Sequence, residues 1–125
     1  MTLTPAQLDR AHGAVLASAV GDALGSQYEF GPPLSDDTPV VYGVGVFGHG
    51  AGEWTDDTSM AMPILQALSG GASLNDPATL ASVVVAWREW ARDAKDVGAQ
   101  TRTVLSALEG DVTEDRARAA APDVP

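Results

Sequence analysis

GEWTDDTSMAMPILQALSGG, residues 52–71, decides how this chain folds. A tryptophan, two adjacent carboxylates and two flanking threonines stand directly before an apolar run. Thr and Asp at such a place satisfy the orphan N–H groups of a helix start and favour the positive end of its dipole. The pattern predicts a helix from about Asp57 or Thr58 to Ser69, stopped by Gly70 and Gly71, with Pro63 forcing a kink or a late start. A second reading is chemical. Adjacent Asp side chains near one point repel unless something positive neutralises them, and hydroxyl and carboxylate oxygens suit Mg²⁺, Mn²⁺ or Ca²⁺ over zinc or copper. The same Asp-Asp-Thr triplet occurs at Asp36 to Thr38 before Pro39, where it reads as a turn, so three letters alone do not choose between the readings. An EF-hand is excluded, because it needs acids at alternating positions and a closing Glu.

Working outward, Thr4, Pro5 and Gln7 form a helix start: an N-cap, a proline at the first helical position and a capping-box partner. Leu8, Val15, Leu16, Ala19, Ala23 and Leu24 follow at mostly helical spacing and predict a buried helix. Gly13, Ala17, Gly21 and Gly25, four apart, stack on one face of it and suggest close approach of another backbone. From Ser26 to Trp54 no period survives, and prolines and glycines punctuate a loop with at most a short strand at Val40 to Tyr42 or Val44 to Phe47. Tyr28, Phe30, Tyr42 and Phe47 imply that this long loop folds over something. Asp76 and Pro77 cap a third helix with Leu80, Val83, Val84, Trp87 and Ala91 on one face and Arg88, Glu89, Arg92 and Asp93 turned away. Thr101 to Glu109 predicts a fourth helix, with Gly110 as its stop. The Ala-, Arg- and Pro-rich tail from about Asp111 is expected to fray. The fold class is all-α, an orthogonal helical bundle with one long loop.

At 125 residues and 45% hydrophobic content the chain fits one globular domain. Seventeen acidic against seven basic residues leave a formal charge of -10, which repels a phosphate backbone and argues against direct nucleic-acid binding. Cysteine is absent, so neither disulfides nor thiolate metal sites arise. The apolar stretch from Ala14 to Leu24 is interrupted by Asp22 and too short to span a membrane. Together these features predict a soluble, cytoplasmic protein without membrane attachment. His12 and His49 lack metal-site spacing and read as structural or solvated.

GAVLASAVGDALG (Gly13 to Gly25), Glu29-Phe30, GEWTDDTSMAM (Gly52 to Met62) and KDVGAQTRTVL (Lys95 to Leu105) occur in the order and approximate spacing of the ADP-ribosylglycohydrolase family, which the chain resembles from about Ala11 to Leu108. The resemblance implies an all-α fold with a pair of Mg²⁺ ions, or Mn²⁺, beside an ADP-ribose pocket. It also implies a substrate that is an ADP-ribosylated protein or an ADP-ribose-like small molecule. By position, Thr55, Asp56 and Asp57 resemble the family's first set of metal ligands. Glu29 is similar to the acid on its mobile loop, and Asp96 to a carboxylate that some members place near the scissile bond. Asp22 reads as a support for the helix and loop around them. Members usually run to more than twice this length and carry a later Asp-x-Asp-Thr ligand motif and a Gly-Asn-Gly region with a Met-Arg, none of which occurs here. The expectation is a partial domain, weakly metal-binding and inactive alone, with apolar faces exposed at Leu80 and Trp87 or Val104 and Leu108 and prone to association. The alternative is a non-catalytic structural or interaction protein on the same scaffold.

Overall fold

The computed structural model describes residues 3–108 and 110–120. Its elements are five α-helices: α1 (Pro5–Gly25), α2 (Asp56–Ser69), α3 (Pro77–Trp90), α4 (Ala99–Ser106) and α5 (Glu114–Ala120). The all-α class is as expected, and no strand occurs among the described residues. The chain divides into two compact units, Met1–Thr58 and Ser59–Pro125.

In the first unit, α1 begins as its sequence dictates. The Thr4 hydroxyl accepts from Gln7 N at 3.3 Å while Gln7 Oε1 accepts from Thr4 N at 2.9 Å, a reciprocal capping box. The expected burial of α1 is corrected: only Ala23 is buried, and Leu16 is 65% and Val20 51% exposed. Periodicity marks a face that favours burial; it does not supply the surface that covers it. The glycine row is corrected as well. A Cβ placed on Gly13, Gly21 or Gly25 would meet nothing within 4 Å, so no backbone approaches there among the described residues.

Neither suggested strand forms in the loop after α1, because side chains take the backbone groups that a partner strand would have used. The Tyr28 hydroxyl accepts from Val41 N at 3.1 Å and donates to Val41 O at 3.2 Å, and Gln27 Nε2 also donates to Val41 O. Further along, Gly45 N donates to His49 O at 2.8 Å across a tight turn in which Gly48 has φ 83°. His49 itself is 5% exposed, a structural position. Phe30 and Phe47 meet edge to face with centroids 5.9 Å apart. The second Asp-Asp-Thr copy is the turn its sequence suggested, with Thr38 N donating to Ser35 O at 2.9 Å.

The second unit holds the rest of α2 and the mutually contacting helices α3, α4 and α5. Asp76 caps α3 as predicted, accepting from Ala78 N at 3.2 Å and Thr79 N at 3.3 Å. α2 runs through Pro63 from a start at Asp56, one residue earlier than expected. α4 starts two residues early, at Ala99 behind Gly98, and ends at Ser106; the expected end, Glu109, lies outside the described residues. Where a fraying tail was expected, Glu114–Ala120 is helical: the Thr113 hydroxyl accepts from Arg116 N at 3.3 Å, and Glu114 pairs with Arg118 one turn on. The apolar positions expected to lie bare are at least partly covered. Leu108 is buried, and Leu80, Trp87 and Val104 are half-buried. The exposed large apolar side chains sit instead mainly on α1 and the loop, among them Leu8, Leu16, Val20, Val44 and Val46. No helix among the described residues is long and apolar enough to cross a membrane.

Candidate active site

The question posed by Asp56 and Asp57 is answered by a residue 34 positions upstream of the first of them. Asp22, near the end of α1, reaches the start of α2 with both carboxylate oxygens. Oδ1 accepts the Thr55 hydroxyl at 2.5 Å, and Oδ2 accepts the Thr58 hydroxyl at 2.5 Å. The backbone N–H of Thr55 lies 3.1 Å and 3.0 Å from the two oxygens, and that of Thr58 lies 3.1 Å from Oδ2. The carboxylate therefore satisfies a helix-start donor that an N-cap side chain would ordinarily satisfy. Burial pushes the Asp22 carboxyl up, but the hydrogen bonds from Thr55 and Thr58 together outweigh it and hold the group below the usual Asp value.

Relieved of capping, Asp56 and Asp57 keep their side-chain oxygens out of the helix start: among the described residues neither side chain accepts from a backbone N–H there. Asp57 is pushed above its ordinary value, first by burial and then by the negative charges of Asp56 and Asp22. Among the described residues no basic side chain pairs with it.

Asp57 borders a cavity of about 750 Å³ along the last turns of α1. Asp22, Thr55 and Glu29 also line it, so three of the acids singled out in the sequence share one hollow with Thr55. Glu29 is exposed in the turn directly after α1. Asp56 is half-buried and does not line the cavity. Asp96 belongs to the second unit, half-buried in the connection just before α4. Sequence reasoning missed two parts of the wall. Gly21 and Gly25, read as a packing seam, form a bare strip of it, where an added Cβ would project into open space. Ser26 is 4% exposed, and its hydroxyl is buried without a hydrogen-bond partner. The four-residue spacing was the available signal for the first; no sequence feature announced the second.

The donors suit a hard divalent cation in kind, being carboxylate and hydroxyl oxygens around an unneutralised negative charge. In number they fall short. Among the described residues no group of three or more His, Cys, Asp or Glu gathers closely enough to hold a metal ion.

Comparison with known proteins accords with these features. The sequence pattern of the ADP-ribosylglycohydrolase family matches residues 3–123. The chain is 42% identical over 115 residues to ADP-ribosylarginine hydrolase Tri1 of Pseudomonas putida (strain GB-1), covering 87% of this chain and 30% of that protein. It is 34% identical over 103 residues to ADP-ribosylarginine hydrolase Tri1 of Serratia proteamaculans (strain 568), covering 78% and 28%. It thus spans about 30% of the length of the curated relatives it matches. No solved structure matches. Matched across nearly all of its length, the chain belongs to the ADP-ribosylglycohydrolase family.

Proposed function

We propose that the chain carries one wall of the active site of a Mg²⁺-dependent hydrolase that cleaves the glycosidic bond between ADP-ribose and a protein side chain or related acceptor. Family membership supports hydrolysis of this kind. The observation carrying the site assignment is the cavity shared by Thr55, Asp57 and Glu29 and anchored by Asp22. Thr55, Asp56 and Asp57 are the residues that would hold the cation. The Thr55 hydroxyl donates its hydrogen to Asp22, which fixes the direction of its oxygen. A bound divalent ion supplies Lewis-acid polarisation of water and ribose hydroxyls. Glu29, on the cavity rim, is positioned to hold a proton or orient a water, and Asp96 is assigned to proton transfer by its motif alone. The bare strip at Gly21 and Gly25 leaves room for a ligand against the backbone of α1.

The chain alone is expected to bind Mg²⁺ weakly and to turn over little or nothing, because three protein ligands do not complete an octahedral shell. In a form extended to the family's length, Asp57→Ala should abolish Mg²⁺-dependent release of ADP-ribose, and Asp56→Ala should do the same. Full release by either variant would remove that residue from the cation site. The lack of a three-acid cluster among the described residues favours a second reading for the chain alone, a non-catalytic scaffold. Calorimetric titration with Mg²⁺, with and without ADP-ribose, separates the two: ADP-ribose-dependent heat supports the hydrolase and its absence the scaffold.

A further inference from the structure

Basic residues are scarce in this chain, seven against seventeen acids. Three of the seven, Arg88, Arg92 and Arg102, line a single pocket of about 260 Å³ in the second unit, where the end of α3 faces α4. No carboxylate lines it among the described residues. We propose that this pocket binds a small phosphate-type oxyanion, either free or as the terminal group of a small molecule. This inference is independent of the hydrolase reading, since none of its residues takes part there.

Each arginine leaves positive charge for a ligand. Arg88 was expected to face away from the apolar side of α3, yet it is half-buried, and its Nη1 donates to the carbonyl oxygens of Leu108 and Gly110, both at 2.9 Å. Those acceptors are neutral. They fix the guanidinium plane without cancelling its charge, and a fixed plane loses less entropy when it meets a two-oxygen ligand. Its Nε–H is buried with no acceptor. A buried orphan donor is where a bound water or ion is to be sought. Arg92 pairs with Glu89 three residues back, a pair whose side chains are exposed and which therefore holds the cation loosely. On the facing helix the exposed Arg102 uses its backbone N–H on Gly98 O, and its guanidinium has no hydrogen-bond or ion-pair partner among the described residues. Ser106 adds a hydroxyl to the wall, and the buried Val97 and Leu105 add apolar surface that lowers the local dielectric. In a chain of formal charge -10, an arginine set of this kind is a local reversal of sign.

Arginine and phosphate match because the guanidinium fork presents parallel N–H donors to two oxygens. A hollow of about 260 Å³ has room for one or two phosphoryl groups. Dipole complementation at the end of α3 accounts for Arg88 and Arg92; it does not account for Arg102, which stands on α4.

The test uses the isotopically labelled chain titrated with inorganic phosphate at constant ionic strength, with the arginine Nε–Hε resonances followed by NMR. Saturable shifts at Arg88 and Arg102 are expected, and binding should weaken as sodium chloride is raised. Arg102→Ala, at an exposed position, should weaken phosphate binding by about tenfold or more, the loss of a charge-assisted hydrogen bond. Arg92→Gln should weaken it by less. Glycerol 3-phosphate and pyrophosphate as further probes assign the source: tighter binding of either than of phosphate identifies an ester or a diphosphate. Shifts that stay linear to tens of millimolar, roughly where a millimolar-class site would already be filled, overturn the proposal. So does an Arg102→Ala chain that binds as the parent does while its spectrum remains that of a folded protein.

Discussion

Asp22→Asn removes one charge and no volume, so it isolates the electrostatic clamp from packing. Asp22 accepts from two hydroxyls at 2.5 Å each and from two backbone N–H groups at 3.0–3.1 Å. An asparagine keeps one acceptor oxygen and turns the other position into a donor. With its NH₂ at the Oδ1 position, the asparagine still offers an oxygen to both backbone N–H groups, which lie 3.0 Å and 3.1 Å from the Oδ2 position in the parent, and only the Thr55 hydroxyl faces the NH₂ group. That hydroxyl can rotate and accept, so no N–H is orphaned. Thr55 and Thr58 are both buried, and exchanging a charged acceptor for a neutral one on their bonds costs about 1–3 kcal/mol in total. The assay is amide hydrogen exchange at Thr55 and Thr58 in parent and variant, with urea unfolding alongside. Both amides keep an acceptor, now a weaker one, so both should lose protection and the unfolding midpoint should fall. If both exchange as in the parent and the unfolding midpoint is unmoved, the start of α2 does not depend on Asp22.

Three other substitutions probe separate parts of the chain. Gly21→Ala should stabilise α1 by about 1 kcal/mol, since alanine favours helix over glycine and the new methyl meets no atom within 4 Å. The same methyl enters the cavity, so binding of Mg²⁺ with ADP-ribose should weaken; unchanged binding in calorimetry would show that the glycine strip does not wall the ligand site. Trp87→Phe deletes an indole N–H that donates to Met60 O at 2.7 Å, and should cost about 1 kcal/mol in denaturant unfolding of the second unit. Asp76 titrates below its ordinary 3.8, first because the Thr79 hydroxyl and then because Ala78 N donates to it. A lowered carboxyl pKa means the cap is fully effective above about 3.8, the unfolded value, and fades as pH falls through the lower folded value. Protection of the first α3 amides should therefore decline at acid pH in the parent and stay flat in Asp76→Asn, whose amide caps without ionising.

Local signals carried the helix starts. Thr4-Pro5-Gln7 and Asp76-Pro77 were legible because caps act within one turn and depend on no partner. α5 carried a comparable signal in Thr113, Glu114 and Asp115, masked by the composition that follows it. What escaped was every feature set by distant residues. The Tyr28 hydroxyl replaces a strand at Val41, 13 positions away, and the Arg88 guanidinium reaches carbonyls 20 and 22 positions away. α5 itself, which contacts α3 and α4, is a helix whose existence the sequence reading had discounted. For the site, residue types and motif order singled out Glu29, Thr55, Asp56 and Asp57, of which Glu29, Thr55 and Asp57 line one cavity. Only coordinates could separate Asp57, on the cavity, from Asp56, off it.

The clamp also explains how two acids can stand at a helix start without being consumed by it. Were Thr55 to cap α2 with its own hydroxyl, that oxygen would be committed to the Thr58 N–H; instead Asp22 takes both. The result places a third carboxylate near Asp56 and Asp57, and Asp57 is pushed above its ordinary value first by burial and then by the charges of Asp56 and Asp22. A scaffold serving stability alone has no need of this arrangement, because a Thr or Ser cap with one acid in the first turn satisfies the dipole at less electrostatic cost. Retaining the crowding is consistent with a cation that relieves it when bound. Sequence and geometry then concern the same physical quantity: negative charge held ready, on a helix end secured from elsewhere.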